Sequence, residues 1–424
     1  MISTIIAFII IFGILVIVHE FGHFIVAKKS GIMVREFSVG MGPKIFYHRY
    51  NGTTYTLRLL PLGGYVRMAG SADDDNEEMR PGRAVNLKLG TNGLVQSINT
   101  SNKHMLFKGL PIEVVKSDLE HQLTITGYVN GDENHLKTFN VDHDATIVEQ
   151  DGTEVQIAPA DVQYETASVS KKLMTNFAGV FNNVLLAVIV YMLLSFVQGG
   201  VLTNSNQVNV LPHNSVARDA GIQNGDRIIS IDHHKTPNWI GLQKQIATRP
   251  HQKINLMIKR DHHVKTLSFT TKSRVISHKR YGMIGIEQTL DHSVSAKLIS
   301  GFTQTWSMTE QLFHALGHMI FGHFSLNDLG GPVAIFATTS QAAKLGITGL
   351  LQFLAFLSIN LAIMNLLPIP ALDGGKIILN LIQAIRRRPV SENVEATITL
   401  IGFALILVLM VLVTWNDIER YFIH

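Results

Sequence analysis

The sequence predicts an α-helical polytopic membrane protein with four transmembrane helices. Polar, β-rich stretches are set between the spans. Three observations carry this. Apolar residues make up 46% of the 424 residues, at a mean hydropathy of +0.21, and they are segregated into long runs. Four runs, near residues 5–27, 173–197, 347–367 and 396–413, are long enough to cross a bilayer as helices. Basic residues gather at alternate run ends: from Lys28 to Arg67 there are seven Lys or Arg against one acid, Glu36. The positive-inside rule then places that side in the cytoplasm and both termini outside.

Composition narrows the chemistry further. There is no cysteine, so disulfides and thiolate ligands are excluded and any zinc must be held by His, Asp or Glu. The net charge of +4 is modest, and the basic residues flank apolar runs. That pattern speaks of membrane orientation and lipid contact, not of a nucleic-acid partner. The N-terminus has no positive n-region, so the first run reads as a retained helix and not a cleaved signal.

Residues 1–27 form the first transmembrane helix, uncharged until His19, Glu20 and His23. Charge in such a run is costly, and His-Glu-x-x-His supplies a reason for it. The two imidazoles, four residues apart, share a helical face, with Glu20 placed beside the first to handle the proton of an attacking water. The plainer alternative is three polar residues near an interface. Residues 35–70 read as a membrane-associated β region, because Asn51-Gly52 joins KIFYHRY to TTYTLRLL as a hairpin turn. Its edge could hold an extended chain beside the first helix.

Residues 71–170 read as a cytoplasmic β-rich insertion, entered through the acidic linker Asp73–Glu78. Its His135 and His143 are expected at the surface. Residues 173–198 are the second span, carrying Asn176, Asn182 and Asn183 either as helix-helix glue or as substrate-facing groups. Residues 202–275 form an external soluble module. The paired His233-His234 and His262-His263 lie near its turns and read as exposed. Residues 290–345 read as amphipathic or membrane-associated helices.

Residues 347–380 contain the third span, with Asn360 and Asn365, and end in PIPALDGGK. Pro368 and Pro370 break the helix. Asp373, an acid just beyond the span, either caps the next helix or serves as a third metal ligand beside His19 and His23. Residues 396–413 are the fourth span.

Taken together, HEFGH in the first span, VGMGPKIF, LPLGGYVRM, NFAGVFNN and NLLPIPALDGGK carry a resemblance. The chain resembles the site-2 protease family of zinc intramembrane metalloproteases, and within it the bacterial members bearing a PDZ domain. The single PDZ-like stretch at 202–275, outside the cytoplasm, and the insertion before the second span are similar to Gram-positive members. The resemblance implies one Zn2+ per chain, held by His19, His23 and Asp373, with Glu20 as the catalytic base and proton carrier. It implies substrate handling or oxyanion stabilisation by Asn360 and Asn365, and matches Asn182 to the Asn of the family's second core helix. Gly179-Val180 stands where relatives often have Gly-Pro. The implied substrates are single-span proteins of the cell membrane, such as membrane-bound regulators (anti-sigma factors among them) and signal-peptide remnants. An upstream site-1-type protease or signal peptidase would trim them first. The rival readings are a divalent-metal transporter and a proteolytically inactive PDZ scaffold.

Overall fold

The computed structural model describes residues 2–70, 79–101, 107–132, 134–148, 154–213, 215–276, 279–322, 329–388 and 390–420. The acidic linker Asp73–Glu78 lies outside them. The chain divides into two units, Met1–Val188 with Thr305–His424, and Ile189–Gln304.

Helix α1 (Ile2–Lys29) opens the first unit. Its buried residues, Thr4, Ala7, Ile11, Leu15, His19, Gly22, His23 and Ala27, recur every three or four positions and form one stripe. Ile5, Ile6, Ile9 and Ile10 point outward and exposed. A helix with its polar and small residues inward and its branched apolar residues outward suits lipid, not water.

Strands β1 (Val34–Tyr50) and β2 (Thr53–Met68) follow, joined by Asn51 and Gly52 at φ 50° and 75°. Two successive left-handed residues make the turn whose twist matches a hairpin. The register shows more than a hairpin. Phe37 pairs with both Val66 and Tyr55, and Val39 with both Gly64 and Leu57. The first half of β1 is therefore flanked on both sides by β2, leaving residues 64–68 as one outer edge and 44–50 as the other. Met41, Ile45, Phe46, Leu59 and Leu60 are exposed along the far arm, an apolar surface of the kind that sits in a bilayer. Arg58 pins the sheet, donating to Glu36 Oε1 at 2.9 Å, to Tyr65 Oη at 2.6 Å and to the Gly42 carbonyl at 2.8 Å.

Strands β3 (Ala84–Leu89), β4 (Val95–Asn99), β5 (Leu110–Asp118), β6 (Thr124–Val129), β7 (Leu136–Val148) and β8 (Glu154–Gln156) build the insertion. Their order is β4-β3-β5-β6-β7-β8, and a parallel pairing of β4 with β7 closes the sheet on itself. Leu87, Ile98, Ile112, Ile125 and Phe139 fill its core. His135 and His143 lie outside, the first against Asp132 and the second between Asp144 and Asp161.

The remaining spans are α2 (Val169–Val197), which runs into the second unit, α7 (Gly346–Leu366) and α9 (Glu392–Ile418). With α1 they are, among the described residues, the four helices long and apolar enough to cross a membrane. Between them lie α5 (Val294–Phe321), α6 (Pro332–Lys344) and α8 (Asp373–Arg386). The third span thus ends at Leu366, and Asp373 begins a separate helix. Gly374 and Gly375 permit the fold-back: a Cβ at Gly374 would lie 2.2 Å from the Leu367 carbonyl oxygen, and one at Gly375 would lie 2.5 Å from that of Ile369. Gly402 of α9 packs as tightly on the Pro370 carbonyl.

The second unit contains β9 (Val201–Leu202), β10 (Val208–Val210), α3 (Val216–Asp219), β11 (Arg227–Ile231), β12 (His234–Lys235) and α4 (Trp239–Ala247). It continues through β13 (Lys253–Arg260), β14 (His263–Thr270), β15 (Lys272–Ile276), β16 (Lys279–Met283), β17 (Ile286–Gln288) and β18 (Leu290–Asp291). Leu242 and Ile246 of α4 pack on Ile228, Ile231, Ile254, Leu256 and Ile258 of the central sheet. Because β17 pairs with β10, the module's strands run on to Gln288. Asp232-His233 and Asp261-His262 are left-handed pairs in the β11–β12 and β13–β14 turns.

Asp226 is the module's buried charge. Arg260 Nε donates to its Oδ1 and Nη2 to its Oδ2, both at 2.7 Å. Burial would push this carboxyl up, but the Arg260 bonds and the Gln223 amide hold it below its ordinary 3.8. A depressed carboxylate contributes stability that is present above pH 3.8 and lost as pH falls through its folded value. Amide exchange of this module should therefore accelerate in wild type as pH is lowered through that range, once corrected for intrinsic exchange. The Asp226→Asn variant should be less protected at neutral pH and show a flatter acid dependence.

Candidate metal centre

His19 and His23 stand one turn apart on α1, a spacing that puts both rings on one side. Asp373 meets them from the first residue of α8. Its Oδ2 is 3.3 Å from His19 Nε2 and 3.3 Å from His23 Nε2, and the two Nε2 atoms are themselves 3.3 Å apart. The three side chains are the one group of His, Asp and Glu able to share a metal among the described residues.

The protons show what this triangle is for. His23 Nδ1 lies 2.7 Å from the Thr175 carbonyl of α2, which can only accept, so Nδ1 carries the proton and Nε2 presents a lone pair. The Asn183 carboxamide of α2 is 3.1 Å from His19 Nδ1 through its nitrogen, and its Oδ1 is buried without a hydrogen-bond partner among the described residues. Turning the amide by a half-turn directs Oδ1 at an Nδ1–H, which satisfies the oxygen and gives both histidines the same tautomer. Asp373 Oδ2 is likewise buried and has no hydrogen-bond partner among the described residues. Three lone pairs facing one another in a dry site repel unless a cation lies between them. For donors about 2.0–2.1 Å from a central zinc, tetrahedral geometry sets donor–donor edges of about 3.3–3.4 Å. The residues fit zinc.

Close helix packing makes the triangle possible. A Cβ on Gly22 of α1 would lie 2.4 Å from the Ala178 carbonyl oxygen, and one on Gly179 of α2 would lie 2.3 Å from His23 Nε2 and 2.6 Å from His19 Cε1. The imidazoles occupy the space a side chain at 179 would fill. Glu20 sits off the ligand face, toward the sheet: a Cβ on Gly64 would meet its Cγ at 3.3 Å. The outer edge of β2 at residues 64–68 thus passes beside Glu20.

Asn182 donates to the Val18 carbonyl at 3.0 Å, one residue before His19. It ties α2 to α1 and makes no hydrogen bond to a ligand ring among the described residues. Its neighbour Asn183 does. Asn360 and Asn365 lie on α7, half-buried, and neither makes a hydrogen bond to the cluster among the described residues. Thr175, Gly179 and Asn183 carry no metal-ligand signature of their own in the sequence, and the signal that joins them is their spacing of four and four, which marks one face of α2. Asn183→Ala should weaken metal affinity roughly 10- to 100-fold, as loss of a ligand-orienting partner does. Chelator competition on the purified protein measures this directly.

The chain matches the model of peptidase family M50 over residues 7–409. It is 47% identical over 422 residues to eep, described as a probable protease, of Enterococcus faecalis (strain ATCC 700802 / V583), covering 99% of this chain and 100% of that protein. A candidate zinc metalloprotease of Streptococcus pyogenes serotype M1 is 50% identical over 425 residues, covering 99% of each chain. Another, from Lactococcus lactis subsp. lactis (strain IL1403), is 44% identical over 437 residues and covers both chains fully.

Proposed function

This chain belongs to peptidase family M50, and we propose that it cuts the membrane-spanning segments of single-span proteins that another protease has already shortened. It is a multi-pass membrane zinc endopeptidase. The proposal extends to the roles of individual residues, the substrate class and the orientation. Both termini lie outside the cytoplasm, as the basic residues flanking α1 and α8 favour, in the plasma membrane.

The observation that carries the reading is the buried triangle of His19, His23 and Asp373 with Glu20 beside it. One zinc per chain would be held by those three side chains, and when bound it would lower the pKa of the attacking water and polarise the scissile carbonyl. Glu20 takes the proton from that water and returns it to the departing amine. Thr175 and Asn183 keep both ligand rings in the Nδ1–H tautomer. Asn360 and Asn365 are assigned to hold the substrate near the reacting carbonyl.

A transmembrane substrate arrives as a helix whose carbonyls are engaged internally, so it must unwind before attack. The edge at residues 64–68 offers backbone groups to an unwound strand next to Glu20. The PDZ domain would screen out bulky ectodomains, so the partners are pre-trimmed regulators and signal-peptide remnants, supplied by a site-1-type protease or signal peptidase.

The test is cleavage of a tagged, trimmed single-span substrate by the purified protein in liposomes. Chelator should abolish cleavage and zinc should restore it. Vesicle flux of zinc without cleavage would favour transport instead. Function preserved in a chelated protein would favour a scaffold.

A further inference from the structure

Helix α8 is turned inside out for a helix in water. Its buried residues are Gly374 and Gly375 in the first turn and Asn380, seven residues on from Asp373 and on the side from which Asp373 enters the metal centre. Asn380 donates to the Tyr164 hydroxyl at 3.2 Å, and Lys172 Nζ donates to Gln383 Oε1 at 3.4 Å. The face away from Asn380, continuing the line of Gly374 and Gly375, carries Ile378, Leu381, Ile382 and Ile385 at the three- and four-residue spacing of one helical stripe, and Ile385 is 83% exposed. Polar groups face the protein and apolar groups face outward, an arrangement favoured where the surroundings are acyl chains.

The end of the helix identifies which lipid. Arg386, Arg387 and Arg388 are consecutive and exposed, and none forms an ion pair among the described residues. A stripe of branched apolar residues ending in three guanidinium groups complements a leaflet of acyl chains under anionic phosphates. This is a second surface, at the opposite end of α8 from Asp373, about 20 Å away along a 14-residue helix.

We propose that α8 is a lipid-seated arm: anionic phospholipid headgroups bind Arg386, Arg387 and Arg388, and seating the helix steadies Asp373 in the metal centre. The link is mechanical. Gly374 and Gly375 lock the first turn against the backbone of residues 366–370, while Asn380 and Gln383 tie the middle to Tyr164 and Lys172. Burial pushes the Tyr164 hydroxyl up from its ordinary value, so it stays protonated as Asn176 and Asn380 donate to its oxygen. A helix held along its length transmits a tilt at one end to the other. The inference rests on the reading of Asp373 as a metal ligand, and its readouts do not need proteolysis.

The chain has no cysteine, so Ile385→Cys accepts a single nitroxide label. The full-length protein, loaded with zinc, is placed in vesicles of phosphatidylcholine alone or with about one third phosphatidylglycerol. Collision with oxygen and with a water-soluble nickel chelate reports the depth of the label, and unlabelled protein reports zinc release to a chelator. The expected result is a label shielded from the aqueous chelate, and zinc release roughly three- to tenfold slower in the anionic vesicles. High salt, and the combined Arg386→Gln, Arg387→Gln and Arg388→Gln variant, should erase the difference between lipids. The salt series on wild type keeps the test valid if the triple variant inserts poorly. A label fully open to the aqueous chelate, or zinc release equal in both lipids, overturns the proposal. Lipid-dependent zinc release in a protein that cleaves nothing would support the arm while removing the proteolytic reading.

Discussion

Glu20→Gln should leave the protein folded and zinc-loaded while lowering its cleavage rate by roughly two to four orders of magnitude, the usual contribution of a positioned proton carrier. The substitution preserves volume and removes only the ability to accept a proton. Glu20 is not part of the His19–His23–Asp373 triangle, so metal content should match wild type. A zinc-free Glu20→Gln protein would mean that this side chain is a ligand, and the roles assigned above would have to be redrawn.

The second large effect is expected at a residue with no functional group. Gly179→Ala places a methyl where two ligand rings now lie, 2.3 Å from His23 Nε2. Real Cβ contacts do not approach so closely, and the obstructing atom belongs to a ring held by the Thr175 carbonyl. Either the rings rotate out of their triangle or α2 moves away from α1. Both outcomes destroy the donor set, so zinc and cleavage should be lost together. Gly13→Ala is the control: it is on the same apolar helix as the histidines, with nothing within 4 Å of its Cβ. Alanine favours a helix interior by about 1 kcal/mol over glycine, so Gly13→Ala should keep full zinc and activity. Comparable zinc loss in both variants would point to general misfolding instead of a local clash.

What could be read from the chain follows from how local each feature is. His19 and His23 were legible because helical pitch alone puts residues four apart on one side, and Asn51-Gly52 because a two-residue turn announces itself. Asp373 could be proposed from a break at Pro368 and Pro370 and an acid at the right side of the membrane. The choice between Asn182 and Asn183 was not legible. Neighbours on a helix point about 100° apart, and which one meets His19 depends on the crossing of α1 and α2, set by Gly22 and Gly179. The return of β2 along both sides of β1, and the parallel β4–β7 pairing that closes the insertion, join residues distant in sequence with no local signature. The inward polar face of α8 has meaning only once Tyr164 and the metal centre are seen on one side of it.

The most direct measurement is zinc content and cleavage on the same preparations of wild type, Glu20→Gln and Asp373→Ala. The account predicts zinc in the first two and little in the third, with cleavage in wild type alone. An Asp373→Ala protein that keeps its zinc and cuts as wild type does would contradict it.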